Sequence, residues 1–208
     1  MNSTDTIDSA GEHALSLADL PYLLDSNTAL PSIDIPVSQK ALDEMRARLA
    51  EAGPAPYIAI TYRAGGAGKD TLVKNAPLKE ISEALKDNKA TLINVQRLPT
   101  QEEKALLTTS FGTSIADFSD VNDNLEEALA LMSLLDDYIG VSNTNMHLRA
   151  AAGKSARVLV TYPGEYRWLV DGDRSPWFPN FDLYRQDSGG SWERAFRKLS
   201  ADIKTSHE

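Results

Sequence analysis

Four short apolar runs, "YIAIT" (57–61), "TLINV" (91–95), "YIGV" (138–141) and "ARVLV" (156–160), recur along this chain with helix-patterned segments between them. A run that is apolar at every position must be buried on both sides. The layer that satisfies several such runs at once is a parallel sheet with helices on both faces. The intervening segments fit that layer. "PLKEISEALKD" (77–87) carries Leu78, Ile81 and Leu85 on one helical face, and "TQEEKALLTTS" (100–110) is a second helix. A third runs through Leu135, with Asp123 and Glu126 expected as its capping box. "SIADFS" (114–119) is a weaker strand and "DLYRQ" (182–186) an edge strand; "SWERAFRKLSADI" (191–203) closes the chain as a helix with Trp192, Phe196 and Leu199 on one face. The class expected is α/β.

Before the first strand, Leu42, Met45 and Leu49 recur at helical spacing, and Gly53-Pro54 stops that helix. Residues 1–36 read differently: they are polar, hold Pro21, Pro31 and Pro36, and have one brief apolar patch, "LADLPYLL". They are expected to be an arm or linker, partly disordered, ahead of one domain over 37–208. With 42% hydrophobic residues in 208, that domain has enough apolar side chain for a real core.

The same composition removes several classes of function. The chain has no cysteine, which excludes disulfides and thiolate metal sites, and His13, His147 and His207 are too scattered to form a zinc site alone. No metal is expected. The amino terminus lacks a basic start followed by an apolar run, and nothing approaches the roughly 20 apolar residues of a membrane span. A soluble cytoplasmic chain is expected. A net charge of −9 argues against nucleic acid as a partner but leaves room for a local basic pocket.

A parallel sheet places its ligand at the carboxyl ends of its strands, which singles out the junctions after Thr61, Val95 and Val141. At the third, "SNTNMH" (142–147) would offer free helix amides together with Ser142, Asn143 and Thr144 side chains, a combination that suits a phosphate or diphosphate. Helix capping explains the same residues equally simply, since Ser, Asn and Thr are the preferred caps. His147 lies about one turn into the helix, where its ring would point back toward the same mouth or pack as an ordinary interior residue. "TYRAGGAGKDT" (61–71) invites a P-loop reading and fails it. Arg63 stands where the motif needs glycine, and Asp70 where it needs Ser or Thr. Arg63, Lys69 and Lys74 remain as cations able to reach an anion. The long aromatic stretch "YPGEYRWLVDGDRSPWFPNFDLYRQ" (162–186) is either a ligand platform or a loop buried by its aromatics; packing is favoured for the tryptophans, and Arg167 and Asp173 stay undecided.

"DDYIGVSNTNMHLRAAAGKSARVLV" (136–160) followed by "YRWLVDGDRSPWFPNFDLYRQ" (166–186) resembles the carboxyl-terminal half of heptosyltransferase-like glycosyltransferases, especially the bacterial ones attached to tetratricopeptide repeats. The resemblance runs from about Tyr57 to Ile203. It implies one Rossmann-like half of a GT-B enzyme, the lobe that holds a nucleotide-sugar donor without a metal ion. In the family, the turn after the corresponding strand reads Asp-Thr-Gly or Asp-Thr-Ala, with a histidine five residues after the aspartate. Aligned on His147, Ser142 takes the aspartate position, Asn143 the threonine and Thr144 the small residue, so a hydroxyl replaces the family's carboxylate. Lys74, three residues before Pro77, matches the spacing of the phosphate-contacting lysine, and Arg63 and Gln96 align at strand ends facing the cleft. The resemblance thus implies donor contacts at Lys74, Ser142, Asn143, Thr144, His147, Arg63 and Gln96, and assigns no catalytic residue. It also implies that the family's amino-terminal acceptor lobe has no counterpart here and is supplied by a larger enzyme or a partner chain, so that the chain is inactive alone and self-association through the face left bare is expected. The alternative expectation is a non-catalytic protein-interaction module derived from that lobe.

Overall fold

The computed structural model describes residue 23 and residues 33–64, 73–112 and 115–206. Most of residues 1–36, expected as an arm, and the glycine-rich segment with Lys69 therefore lie outside the described residues. The elements in order are α1 (Gln39–Ala52), β1 (Tyr57–Ile60), α2 (Leu78–Leu85), β2 (Thr91–Asn94), α3 (Gln101–Phe111) and β3 (Ile115–Asp117). There follow α4 (Leu125–Leu134), β4 (Asp137–Val141), α5 (Thr144–Ala151), β5 (Ala156–Val160), β6 (Phe181–Arg185) and α6 (Glu193–Ser206). Short 3-10 turns cover Ser119–Asp123 and Tyr166–Trp168.

Every strand pairs in parallel, in the order β3-β2-β1-β4-β5-β6. Successive connections run outward from β1 to β3, then return to β4 and run outward the other way. The strand order thus reverses between β1 and β4, and the loops leaving those two strands diverge to leave a crevice at their carboxyl ends.

Two cores, one on each face, follow from strand alternation. Ala59, Ile93, Tyr138, Val158 and Leu183 point to the side covered by α1, α4 and α5, where Met45, Leu49, Leu131 and Met146 are buried. Ile58, Ile60, Leu92, Ile139, Val141 and Leu159 point to the other, against Ile81 and Leu85 of α2, Leu107 of α3 and Phe196 and Leu199 of α6. Continuous apolar strands are what this double coverage demands, and β4 and β5 are buried at every position.

The helix ends show how local chemistry sets the boundaries. Gly53 closes α1 at φ 152°, and a Cβ there would lie 2.5 Å from Thr91 Oγ1, so only glycine fits. Thr100 and Glu103 form a reciprocal capping box on α3. The cap of α4 differs from expectation: it is Asn124, whose Oδ1 accepts from the amides of Glu126 at 3.0 Å and Glu127 at 3.4 Å. Asp123 is consumed by the preceding 3-10 turn, which moves the cap one residue along.

Arg149 of α5 is 1% exposed and serves as a cap from outside the helix it closes. Its guanidinium donates to the carbonyls of Met132, Leu135 (2.9 Å) and Asp136 (3.3 Å) at the end of α4, and to Ser155 O at 2.7 Å. The Met132 and Leu135 carbonyls are orphans of the last turn of α4, and a cation at that end also meets the negative pole of the helix dipole. Residues 33–36 cross the far end of α5, where Ile35 N donates to Ala151 O at 2.7 Å.

Candidate functional site

The crevice between β1 and β4 opens into a cleft of about 360 Å³. Arg63 enters it from the loop after β1, Gln96, Arg97 and Leu98 from the loop after β2, and Asn122 from the 3-10 turn after β3. Asn143, Thr144 and Asn145 complete it from the start of α5. Its volume lies within the range typical of small-molecule sites. Four of the residues predicted from sequence, Arg63, Gln96, Asn143 and Thr144, meet here.

Amides dominate the lining, and most of them are already engaged. Gln96 is 2% exposed, and its Oε1 accepts from the amides of Tyr62 at 3.1 Å and Arg63 at 3.0 Å, tying the exits of β1 and β2 together. Asn145 Nδ2 donates to Val95 O at 3.2 Å and to Asn122 Oδ1 at 3.1 Å, while Asn122 donates to the same Val95 carbonyl. Asn143 caps α5 by accepting from Met146 N at 3.3 Å. With Oδ1 fixed by that cap, its Nδ2 donates to Thr61 Oγ1 at 2.9 Å. Thr144 and Asn145 follow the cap, and amides at those first helical positions have no intrahelical acceptor.

Arg63 does not present a free charge to the cleft. Its guanidinium forms a fork with Glu103, with Nη2 at 2.9 Å from Oε2, and also donates to Leu98 O at 2.8 Å. Both side chains are largely buried. Hydrogen bonding to Glu103 raises the Arg63 pKa, and the same contact holds Glu103 below the usual carboxylate range although burial opposes it.

Lys74 and Ser142 form a second cluster on the other side of the β4–α5 turn, around a cavity of only about 10 Å³ lined also by Glu165 and Trp168. Lys74 Nζ lies 3.0 Å from Glu165 Oε1, Arg167 Nη1 lies 3.3 Å from the same oxygen, and Trp168 Nε1 donates to Oε2 at 3.2 Å. Burial works against the Glu165 charge, but the nearby Ser142 hydroxyl and the cations Lys74 and Arg167 outweigh it and lower its pKa. His147 is exposed on α5 with its ring edge-on to Phe178 at 5.4 Å between centroids. Partial burial of the ring, then the charges of Arg167 and Lys74, push its pKa below the ordinary imidazole value, with Glu165 opposing.

The loop that brings Glu165 and Arg167 to this cluster is pinned from below. Arg185 of β6 donates to the carbonyls of Trp168, Leu169 (3.1 Å), Asp171 (2.9 Å) and Gly172 (2.7 Å). Trp168 is 1% exposed and stacks on Phe178, which stacks on Phe181 of β6. Tryptophan packing thus organises the loop. Sequence reasoning left Arg167 undecided and passed over Glu165, Asn122 and Glu103. Glu165, Asn122 and Glu103 each earn their place through a partner more than 20 residues away, which spacing does not reveal.

Among the described residues, no group of three or more His, Asp or Glu is placed to hold a metal ion, and no helix is long and apolar enough to cross a membrane.

No protein-family model matches the chain. Protein FlbA of Caulobacter vibrioides is similar to it, with 22% identity over 162 residues, which is 76% of this chain and 27% of FlbA. Among solved structures, the E. coli ADP-heptose LPS heptosyltransferase II superposes with a TM-score of 0.55 at 16% identity, over 84% of this chain and 54% of that one. A glycosyl transferase of family 9 from Veillonella parvula superposes with a TM-score of 0.57 at 12% identity, over 88% and 58%. The chain therefore has the Rossmann-like α/β fold of glycosyltransferase family 9 structures while spanning just over half their length, and about a quarter of FlbA.

Proposed function

We propose that this domain is the donor-binding, carboxyl-terminal lobe of a glycosyltransferase and takes a nucleotide sugar. The observation that carries the reading is the position of the 360 Å³ cleft at the strand-order reversal, where the loops after β1, β2 and β4 converge. The fold shared with an ADP-heptose transferase points the same way. Side-chain amides and free helix amides suit the hydroxyls and base edges of such a ligand. Its diphosphate would lie along the β4–α5 turn, between the cleft and Lys74. Transfer needs an acceptor hydroxyl, a base beside it and cations around the leaving diphosphate, and the base and acceptor would come from a second lobe or a partner chain. On this reading the described domain alone binds donor and transfers little.

A second reading, a protein-interaction module built on the same fold, is favoured by one observation. Arg63 and Lys74 are both neutralised by internal carboxylates. Exposed Val73, Leu98, Tyr162 and Val170, all in loops after strand carboxyl ends, would supply its apolar contacts.

Thermal-shift titration against ADP, UDP, GDP, CDP and their sugar conjugates separates the two. A ligand at ten times its dissociation constant adds about 1.4 kcal/mol, a shift of roughly 3–6 °C for a domain of this size. A base-selective shift supports the donor lobe. No shift at millimolar ligand removes it and leaves the interaction module.

A further inference from the structure

We infer that Glu165 is a resident anion: its carboxylate fills a cradle made by Lys74, Arg167, Ser142 and the Trp168 indole N–H, and a phosphate-class ligand enters only by displacing it.

Three donors converge on one carboxylate, and the Ser142 side chain lines the same small cavity. Lys74 comes from the loop before α2, Ser142 from the end of β4, and Arg167 and Trp168 from the 3-10 turn after β5. Two cations, a hydroxyl and an indole N–H around a planar pair of oxygens are the donor set a phosphate oxygen edge would require. Two cations against one carboxylate leave one surplus positive charge, so the cradle still attracts anions with Glu165 in place. Volume decides the matter: the space remaining is about 10 Å³, at the lower limit for one water molecule, and a phosphate has no room unless the carboxylate leaves.

The construction of the loop makes displacement local. Trp168 is held by stacking on Phe178, and the carbonyls of residues 168, 169, 171 and 172 by Arg185, so the backbone around the cradle is fixed. Glu165 lies just before that pinned segment; its carbonyl accepts from Trp168 N at 2.9 Å, and its carboxylate is tied to the loop by Arg167 and the Trp168 indole. Swinging one side chain outward exchanges a carboxylate for a phosphate and leaves the cations where they are. The exchange costs the Lys74 and Arg167 contacts of Glu165, so affinity for the incoming anion is lower than the donor set alone would give. The inference rests on the donor-lobe reading only in treating the ligand's anion as a diphosphate.

The test is calorimetric titration of the full chain with inorganic pyrophosphate, and with ADP and UDP, at low salt. Wild type is compared with Glu165→Gln and with Glu165→Gln/Lys74→Gln, each first confirmed as folded by its urea midpoint. Glu165→Gln is expected to bind pyrophosphate at least tenfold more tightly than wild type, and the double variant to lose that gain. Equal affinity in wild type and Glu165→Gln, or no binding by either at millimolar pyrophosphate, overturns the inference. A measurement on wild type alone stands beside it: the Trp168 indole N–H resonance must move on saturation with pyrophosphate, because its bond to Glu165 is lost, and binding that leaves it unmoved overturns the proposal. If pyrophosphate behaves as expected and no nucleotide binds, the cradle stands and the donor-lobe reading fails. If ADP or UDP binds wild type and Glu165→Gln alike, the donor-lobe reading stands and the resident anion falls.

Discussion

The Tyr138 hydroxyl lies 2.7 Å from Thr61 Oγ1, deep between β4 and the end of β1, and the direction of that bond can be deduced. Tyr138 spends its single proton on Asn143 Oδ1 at 3.2 Å, so Thr61 is the donor to Tyr138. Asn143 Nδ2 in turn donates to Thr61 at 2.9 Å. The three side chains form a closed ring in which each donates once around the cycle, an arrangement in which hydrogen bonds strengthen one another. The ring fixes the turn that starts α5, and with it the cleft wall.

Tyr138→Phe tests the ring. It removes one hydroxyl from a fully buried site and leaves Thr61 without an acceptor and Asn143 Oδ1 with one donor fewer. A loss of about 1–3 kcal/mol in unfolding free energy is expected, read as a lower urea midpoint at unchanged m-value. A loss below 0.5 kcal/mol in that measurement, an order of magnitude typical of neutral surface changes, would show that the ring contributes little.

Gly140 is required by the same ring. A Cβ at this position would lie 2.2 Å from Thr61 Oγ1 and 3.1 Å from the Tyr138 hydroxyl. Gly140→Ala is expected to destabilise by about 1–3 kcal/mol through overpacking and loss of the Thr61 bond. In a Thr61→Ala background the principal clash is absent, so the same substitution should cost less. A double-mutant cycle with no coupling between the two positions would contradict this account.

Arg149→Met separates a buried structural cation from a functional one. The change leaves the carbonyls of Met132 and Leu135 buried without their donor, at about 2–5 kcal/mol in total. Arg149→Lys should recover little, because one ammonium cannot reproduce a fork that meets carbonyls from two chain segments. Nucleotide affinity of the surviving folded fraction should be unchanged, since Arg149 is absent from both the cleft and the cradle.

Much of this architecture was legible in the sequence because burial on two faces leaves an unambiguous signature. The four apolar runs became the four central strands, and the helix spacing of Leu78, Ile81 and Leu85 placed α2 against the second core. The α4 cap was misplaced by one residue because a 3-10 turn uses the same Asp and Asn chemistry as a helix cap. The candidate site was legible only in outline. The strand-end rule and the family resemblance pointed to side chains around the carboxyl ends of β1, β2 and β4, but pairings decide what those side chains do. Nothing local to Arg63 announces Glu103, and nothing local to Lys74 announces Glu165, which lies 91 residues along the chain. Asn143, read either as a phosphate contact or as a cap, does cap α5, and it also lines the cleft.

Acid should weaken the fold in two stages, and the sign of each follows from the direction of its shift. His147 has a folded pKa below its ordinary 6.5, so between the folded value and 6.5 the unfolded chain binds more protons, and stability falls as pH drops through that window. Glu165 and Glu103 have folded pKa values below their ordinary 4.5. Their contribution is fully present above 4.5 and is lost as pH falls from there through the folded values. The expected profile of unfolding free energy against pH is therefore a shallow decline beginning near 6.5 and a steeper one beginning near 4.5. His147→Gln should flatten the first stage and leave the second. Glu103→Gln should reduce the second and, by releasing Arg63, leave a cation facing the cleft. Urea midpoints measured from pH 8 to pH 3 on the three proteins check this directly. A wild-type profile that stays level down to pH 3 would mean that these carboxylates are no better stabilised in the folded chain than in the unfolded one.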